Sequence, residues 1–233
     1  MKRTILAALS SVIAGPVLAA TVTVTDFSVA AYNAAVGPGI ATVQNFEGFD
    51  EGNVANGFMT NVGSFSTAGG TGTGATVTKA DFANNDGSQL AIRDGHVFGR
   101  RSTTDDLTGN AGDDTFLDSN DTLGILWEVN TGSYFDRIIL TLTDATDVGA
   151  ILTIGGLGIT SIDLQDFSNA ANKIVEIDFG IAVNSASVFF TNNRLNDGFS
   201  LDDIAVSTVP LPAPILLLLG GLVGLFGLRR KSA

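Results

Sequence analysis

The hydrophobic pattern divides the chain into three parts: a central stretch where apolar and polar residues alternate in short runs, and a mainly apolar block on either side. In the centre, Thr21-Val22-Thr23-Val24-Thr25 has the period of two that sends successive side chains to opposite faces of a half-buried strand. The signal recurs over Ile138 to Thr143, Ala150 to Ile154, Lys173 to Phe179, Ala186 to Thr191 and Phe199 to Val206. Between these runs fall Asn84-Asn85-Asp86-Gly87, Asp94-Gly95 and Asn196-Asp197-Gly198, whose residue types tolerate the positive φ of tight turns. Only Ser28 to Val36, stopping at Gly37, has helical character. Short strands with recurrent turns predict a mainly β chain folded as an antiparallel β-sandwich. The small-residue stretch Thr67 to Gly74 reads as a loop or flexible edge, and it lacks the Lys-Ser/Thr ending of a phosphate-binding loop.

The flanking blocks are sorting segments. Lys2 and Arg3 open the first, an apolar run from Ile5 to Val17 follows, and Val17-Leu18-Ala19-Ala20 close it with small residues. This is the layout of a secretory signal peptide, with cleavage expected after Ala19 or Ala20. Pro16 and the basic start argue against a buried N-terminal helix. At the other end, Val209-Pro210-Leu211-Pro212-Ala213-Pro214 leads into Ile215 to Leu228, apolar or glycine throughout, and then Arg229-Arg230-Lys231. With the proline motif the apolar segment reaches 20 residues, matching the roughly 20 that a helix needs to cross hydrocarbon. Basic residues beyond it stay cytoplasmic and leave the preceding domain outside. The expected organisation is a signal peptide over 1–20, an extracellular β-domain over 21–207, and a tail over 208–233 carrying a transmembrane helix.

The tail resembles the C-terminal sorting signal of the bacterial PEP-CTERM class, most closely its VPLPA variant, on Val209, Pro210, Leu211, Pro212 and Ala213 followed by apolar helix and basic cluster. The resemblance implies a Gram-negative host and recognition by an exosortase-type membrane protease. It further implies export through the inner membrane, anchoring by the C-terminal helix, and delivery to the cell surface or extracellular matrix. A sortase signal would place Thr-Gly after Leu-Pro-x, and a GPI signal would lack the basic end. An anchor that is never processed is the alternative.

Charge sharpens this picture. The sorting segments hold five of the 12 basic residues and none of the 24 acidic ones, leaving the β-domain at −17. Such a surface repels nucleic acid and anionic lipid, so no nucleic-acid partner is expected. The chain has no cysteine, which removes thiol catalysis and thiolate metal sites. About 190 residues bury a core without disulfides.

Two acidic constellations suit a hard cation such as Ca2+, which takes carboxylate and carbonyl oxygens. The first runs from Asp105-Asp106 through Asp113, Asp114 and Asp118 to Asp121. Its segment Gly109 to Leu117 matches one calcium β-roll repeat except at Asn110, but the next nine residues do not repeat it, as that architecture requires. Asp118-x-Asn120 begins like an EF-hand loop and then has Leu123 in the glycine position. The stretch is either a single calcium loop or a solvated acidic loop. The second constellation is Asp197 to Val206, where Phe199 and Leu201 share one phase and Ile204 and Val206 another, so that a bulge is expected at Asp202-Asp203.

A closing strand Phe199-x-Leu201-Asp202-Asp203-Ile204-x-Val206 resembles the last strand of many extracellular jelly-roll domains, including carbohydrate-binding modules. That resemblance implies a jelly-roll-like sandwich, a structural calcium held by Asp202 with Glu47 of Asn45-Phe46-Glu47, and extracellular polysaccharide as a partner. The other reading of Asp202 is a residue that caps the bulge through hydrogen bonds to backbone.

An enzyme is not expected. His96 is the only histidine, and no G-x-S-x-G elbow exists for it to serve. Two carboxylates alone suffice for glycoside hydrolysis, but spacing singles out no pair. Trp127, the only tryptophan, reads as a core position on a strand rather than a sugar platform, and Arg100-Arg101 as partners of nearby aspartates. The expectation is an exported, non-catalytic β-sandwich of the surface or exopolysaccharide matrix. Its alternatives are a calcium-dependent carbohydrate-binding module and, less favoured, a surface hydrolase.

Overall fold

The computed structural model describes residues 20–39, 41–67, 89–96, 100–120, 122–144, 148–154, 158–163, 172–192 and 198–208. Strands and helices are numbered in chain order. The first of two sheets runs β1 (Thr21–Asp26), β12 (Asn172–Val183), β9 (Phe135–Thr143), β14 (Ser200–Thr208), β7 (Thr115–Asp118), β6 (Leu90–Asp94) and β3 (Gly52–Val54), each antiparallel to the next. The far edge of β14 is shared. β7 pairs with it at Ser200 and Leu201, and β2 (Ala41–Gln44) takes over from Ile204 to Ser207. The second sheet runs β11 (Gly158–Asp163), β10 (Val148–Ile154), β13 (Ala186–Asn192), β8 (Gly124–Val129), β5 (Gly63–Thr67) and β4 (Phe58–Thr60), again antiparallel. The predicted antiparallel β architecture is therefore present, and all six alternating runs read from the sequence are strands.

The sheets pack face to face over one apolar core. Ile138, Leu140 and Leu142 of β9 and Leu201, Ile204 and Val206 of β14 meet Phe65, Trp127 and Phe190 of the second sheet there. Phe65 and Trp127 are register partners whose rings stack 5.5 Å apart at 13°. Trp127 is fully buried, and its Nε1 donates to the Val62 carbonyl at 3.1 Å, which satisfies its one polar atom. It is a core residue, as its strand position predicts.

The outer face of the first sheet is covered as well. α1 (Val29–Val36) lies over it, with Tyr32, Ala31, Ala35 and Val36 packed around Ile139, Ile174 and Ala205. Its ends follow from sequence: Ser28 Oγ accepts from Ala31 N at 3.1 Å, and Gly37 leaves the helix at φ +66. A second helix, α2 (Thr104–Thr108), ends at Gly109 in the left-handed region, and the alternation pattern did not predict it. Gly95 has φ +76, as its turn requires. Gly198 does not adopt a positive φ. It is needed because a Cβ there would collide with the Arg100 guanidinium and Ser119 Oγ.

Residues 1–19 of the expected signal segment, the turn at Asn84 to Gly87, Asn196 and Asp197 of the last turn, the stretch 68–74, and the VPLPA motif with its apolar tail lie outside the described residues. Among the described residues no helix is long and apolar enough to cross a membrane.

Candidate functional site

The site begins with the bulge. Asp202 opposes Thr141 of β9 and Ala205 opposes Ile139, so three steps on β14 match two on β9. Asp203 takes up the extra residue at φ +45. The bulge returns Ile204 and Val206 to the core face that Leu201 occupied, which is the phase change seen in the sequence. It sits where the neighbour of β14 switches from β7 to β2, and Tyr32 Oη braces it by donating to the Asp203 carbonyl at 2.7 Å.

Residues 100–104 form a strap across the outer face above this point. Arg100 Nη1 reaches Asp118 Oδ1 on β7 at 2.9 Å. Arg101 N donates to Thr143 Oγ1 of β9 at 3.2 Å, while the Ser200 hydroxyl of β14 donates to the Arg101 carbonyl at 3.3 Å. Ser102 Oγ, Thr103 N and Thr104 Oγ1 then converge on Asp202 Oδ2 at 2.5, 3.1 and 3.1 Å. Thr103 Oγ1 and Thr104 Oγ1 lie 2.5 and 2.9 Å from the two Asp203 oxygens. Thr103 stands at the N-cap of α2, yet its hydroxyl makes no cap bond and turns to Asp203 instead.

Both carboxylates are sealed, with Asp202 1% and Asp203 3% exposed, and among the described residues no basic side chain pairs with either. Burial, then the charge of Asp203, pushes the Asp202 carboxyl well above the usual range. Burial raises Asp203 to about 6 against the pull of its hydroxyl donors, with Asp105 and Asp106 adding repulsion. The phenol of Tyr32 is raised by burial and by both carboxylates.

Proton counting shows the same deficit. Thr103, Thr104 and Thr141 have one hydroxyl proton each, but their oxygens make five contacts: Thr103 with Asp203 and Thr141, Thr104 with Asp202 and Asp203, and Thr141 with the Asp202 carbonyl. Protons on the carboxyls, or a cation bridging the oxygens, would make up the difference. Among the described residues Asp202 Oδ1 is buried with no hydrogen bond of good geometry, and so is Asp105 Oδ1 on the strap side. Two buried carboxylates and the strap hydroxyls of Ser102, Thr103 and Thr104 make an all-oxygen donor set, of the kind a hard divalent cation takes.

The five predicted ligands fall in three places. Asp202 belongs to the strap site. Asp118 lies between two arginines, with Arg93 Nε 3.5 Å from Oδ2 and Arg100 on Oδ1, and its Oδ1 also accepts from Asn120 N at 2.8 Å. The EF-hand-like start is thus a local turn stapled by an ion pair. Glu47 Oε1 accepts from Thr115 N at 2.9 Å, tying the segment after β2 to the start of β7. Burial raises its pKa, and the charges of Asp113 and Asp114 add to the shift. Asp113 accepts from Thr108 Oγ1 and Asn110 Nδ2, both at 3.1 Å. A hydrogen bond to Asp94 lifts Asp114 to about 6.

The oxygen of Glu47 therefore holds Thr115 rather than sharing the contacts of Asp202. Among the described residues no three His, Cys, Asp or Glu side chains meet as a group that could hold a metal, so hydroxyls must complete any site at Asp202. His96 is exposed just beyond β6, and Arg101 pairs with Asp106 at 2.8 Å. The strap was missed from sequence. Its signal is Ser102-Thr103-Thr104-Asp105-Asp106, hydroxyls followed by acidic residues, the composition of a helix start.

No protein-family profile matches the chain, and no curated protein is significantly similar to it.

Proposed function

We propose that this chain is an exported, non-catalytic β-sandwich of jelly-roll type, handed by its VPLPA-type tail to an exosortase-type protease for display at the cell surface or in the exopolysaccharide matrix. In this reading Ca2+ is a structural ion at the strap, held by Asp202 and Asp203 with the hydroxyls of Ser102 and Thr104. One observation supports it above others: Asp202 and Asp203 are sealed from solvent beneath the strap, and among the described residues no basic side chain pairs with either. Carboxylates so placed bind structure together rather than meet a substrate. The ion supplies the missing positive charge.

The test is thermal melting of the mature domain at neutral pH, in chelator and in calcium. With calcium at about a hundred times its Kd, stabilisation is about 2.7 kcal/mol. Equal melting temperatures would remove the ion from this reading. The sorting half is tested separately in the native host: deleting the exosortase gene leaves the protein held at the inner membrane, and an unchanged distribution would overturn it.

A further inference from the structure

Resting on the cation reading above, we propose that the segment 100–108 is a gate: its 102–108 end must lift off β14 before a divalent cation reaches Asp202, and the bound cation then locks it down.

The two ends of the segment are fastened differently. At Arg100 the attachment is a buried ion pair to Asp118. From Ser102 onward it consists of hydrogen bonds from hydroxyls and one amide to the carboxylates of Asp202 and Asp203, one contact of Thr103 Oγ1 with Thr141 Oγ1 of β9 at 2.7 Å, and the packing of Leu107 against the apolar cluster of Tyr32, Ile139, Ile174 and Ala205. The sheet beneath is instead held by ladder bonds and a continuous core. Segments with few apolar contacts open locally at lower free energy than the core they cover.

Charge biases the gate in the same direction. Asp105 and Asp106 ride on it and their charges repel that of Asp203, so without a cation the closed gate holds like charges together. Arg101 and Arg100 are engaged by Asp106 and Asp118, and α1 contributes a phenol rather than a cation. Asp202 and Asp203 are covered from solvent, so a cation enters by displacing the hydroxyl-bearing end. The hinge is at Arg100 and the latch at Ser102 to Thr104.

Terbium, a luminescent oxygen-binding stand-in for calcium, reads this directly because Tyr32 sits against the bulge and can sensitise it. Mixed rapidly with the calcium-free mature domain, terbium luminescence should rise at a rate that levels off as terbium increases, the ceiling being the opening rate of the gate. Leu107→Ala leaves every carboxylate in place and should raise the ceiling roughly tenfold, as expected for losing part of one leucine's burial. In the unmodified chain, calcium should slow hydrogen exchange of the Thr103 amide at least tenfold relative to the amides of β9.

Binding whose rate climbs linearly with terbium and ignores Leu107→Ala would overturn the gate and leave the ion site standing. Exchange at Thr103 unaffected by calcium, with binding intact, would overturn it too. No terbium signal and no calcium-dependent melting shift would overturn the ion site, and the gate with it.

Discussion

Asp118 and Asp202 stand on neighbouring strands of one sheet, on the same outer face, and each is 1% exposed. Taking either carboxylate out of water costs several kcal/mol. Asp118 recovers that cost from two guanidiniums, Arg100 at 2.9 Å and Arg93 at 3.5 Å. Asp202 has an amide and two hydroxyls, which donate hydrogen bonds but bring no charge. The contrast separates a permanent fastening from a conditional one, and the strap between them is fixed at one end and dependent on added positive charge at the other.

The largest break in this comparison is on the permanent side. Arg100→Ala leaves Asp118 buried with the longer contact to Arg93, and losing one partner of a buried pair costs about 3–5 kcal/mol. The lower end applies because Arg93 remains, and in a domain of this size about 3 kcal/mol lowers the melting temperature by roughly 6–12 °C. The drop should be the same in calcium and in chelator. A calcium-dependent drop would mean that the two ends are not independent.

Gly198→Ala attacks the same fastening sterically, since its Cβ would meet the Arg100 guanidinium. Overpacking of this kind costs about 1–3 kcal/mol, read as a lower urea midpoint with unchanged slope.

On the conditional side the lever is pH. Asp203 is lifted from an ordinary 3.8 to about 6 in the folded chain, so between these values the folded state binds more protons than the unfolded one. Stability from this group is therefore full below about pH 4 and lost as pH rises through about 6. In chelator, the melting temperature of the unmodified domain relative to Asp203→Asn should fall by several degrees across that window. Calcium at neutral pH should cancel the fall. A difference that rises with pH would show that the pair is stabilised as anions and that positive charge is not what the strap lacks.

Much of the antiparallel β architecture was legible because its long strands alternate, and at the bulge the break of phase between Leu201 and Ile204 could itself be read within one sequence run. The short strands β3, β4 and β7 were not legible: three or four residues such as Thr115-Phe116-Leu117-Asp118 give no periodicity to read, and their place is set by pairing with β6, β5 and β14. The importance of Asp202 was visible in its own strand. Its partners were not, because Ser102 to Thr104 lie about a hundred residues away and only the fold lays them over the bulge. Grouping Asp113, Asp114 and Asp118 by sequence proximity failed for the same reason, since β7 carries Asp118 to Arg93 and Arg100 and leaves Asp113 and Asp114 beside Glu47 and Asp94.

The smallest expected effect is at Asp106, and it bears on whether exposed charges on the strap matter at all. Asp106 pairs with Arg101 at 2.8 Å, but the two side chains are 40% and 26% exposed, so the pair is worth about 0.2–1 kcal/mol. The same carboxylate repels Asp203, and its removal relieves the conditional end. In Asp106→Asn the two effects oppose, and the melting temperature in chelator should move by no more than about 2 °C, equivalent to about 0.5 kcal/mol. In 1 M salt, where charges separated by more than about 3 Å are screened, the remaining difference should vanish. A loss as large as that of Arg100→Ala would place the strap's main fastening at its exposed pair and dissolve the contrast between Asp118 and Asp202.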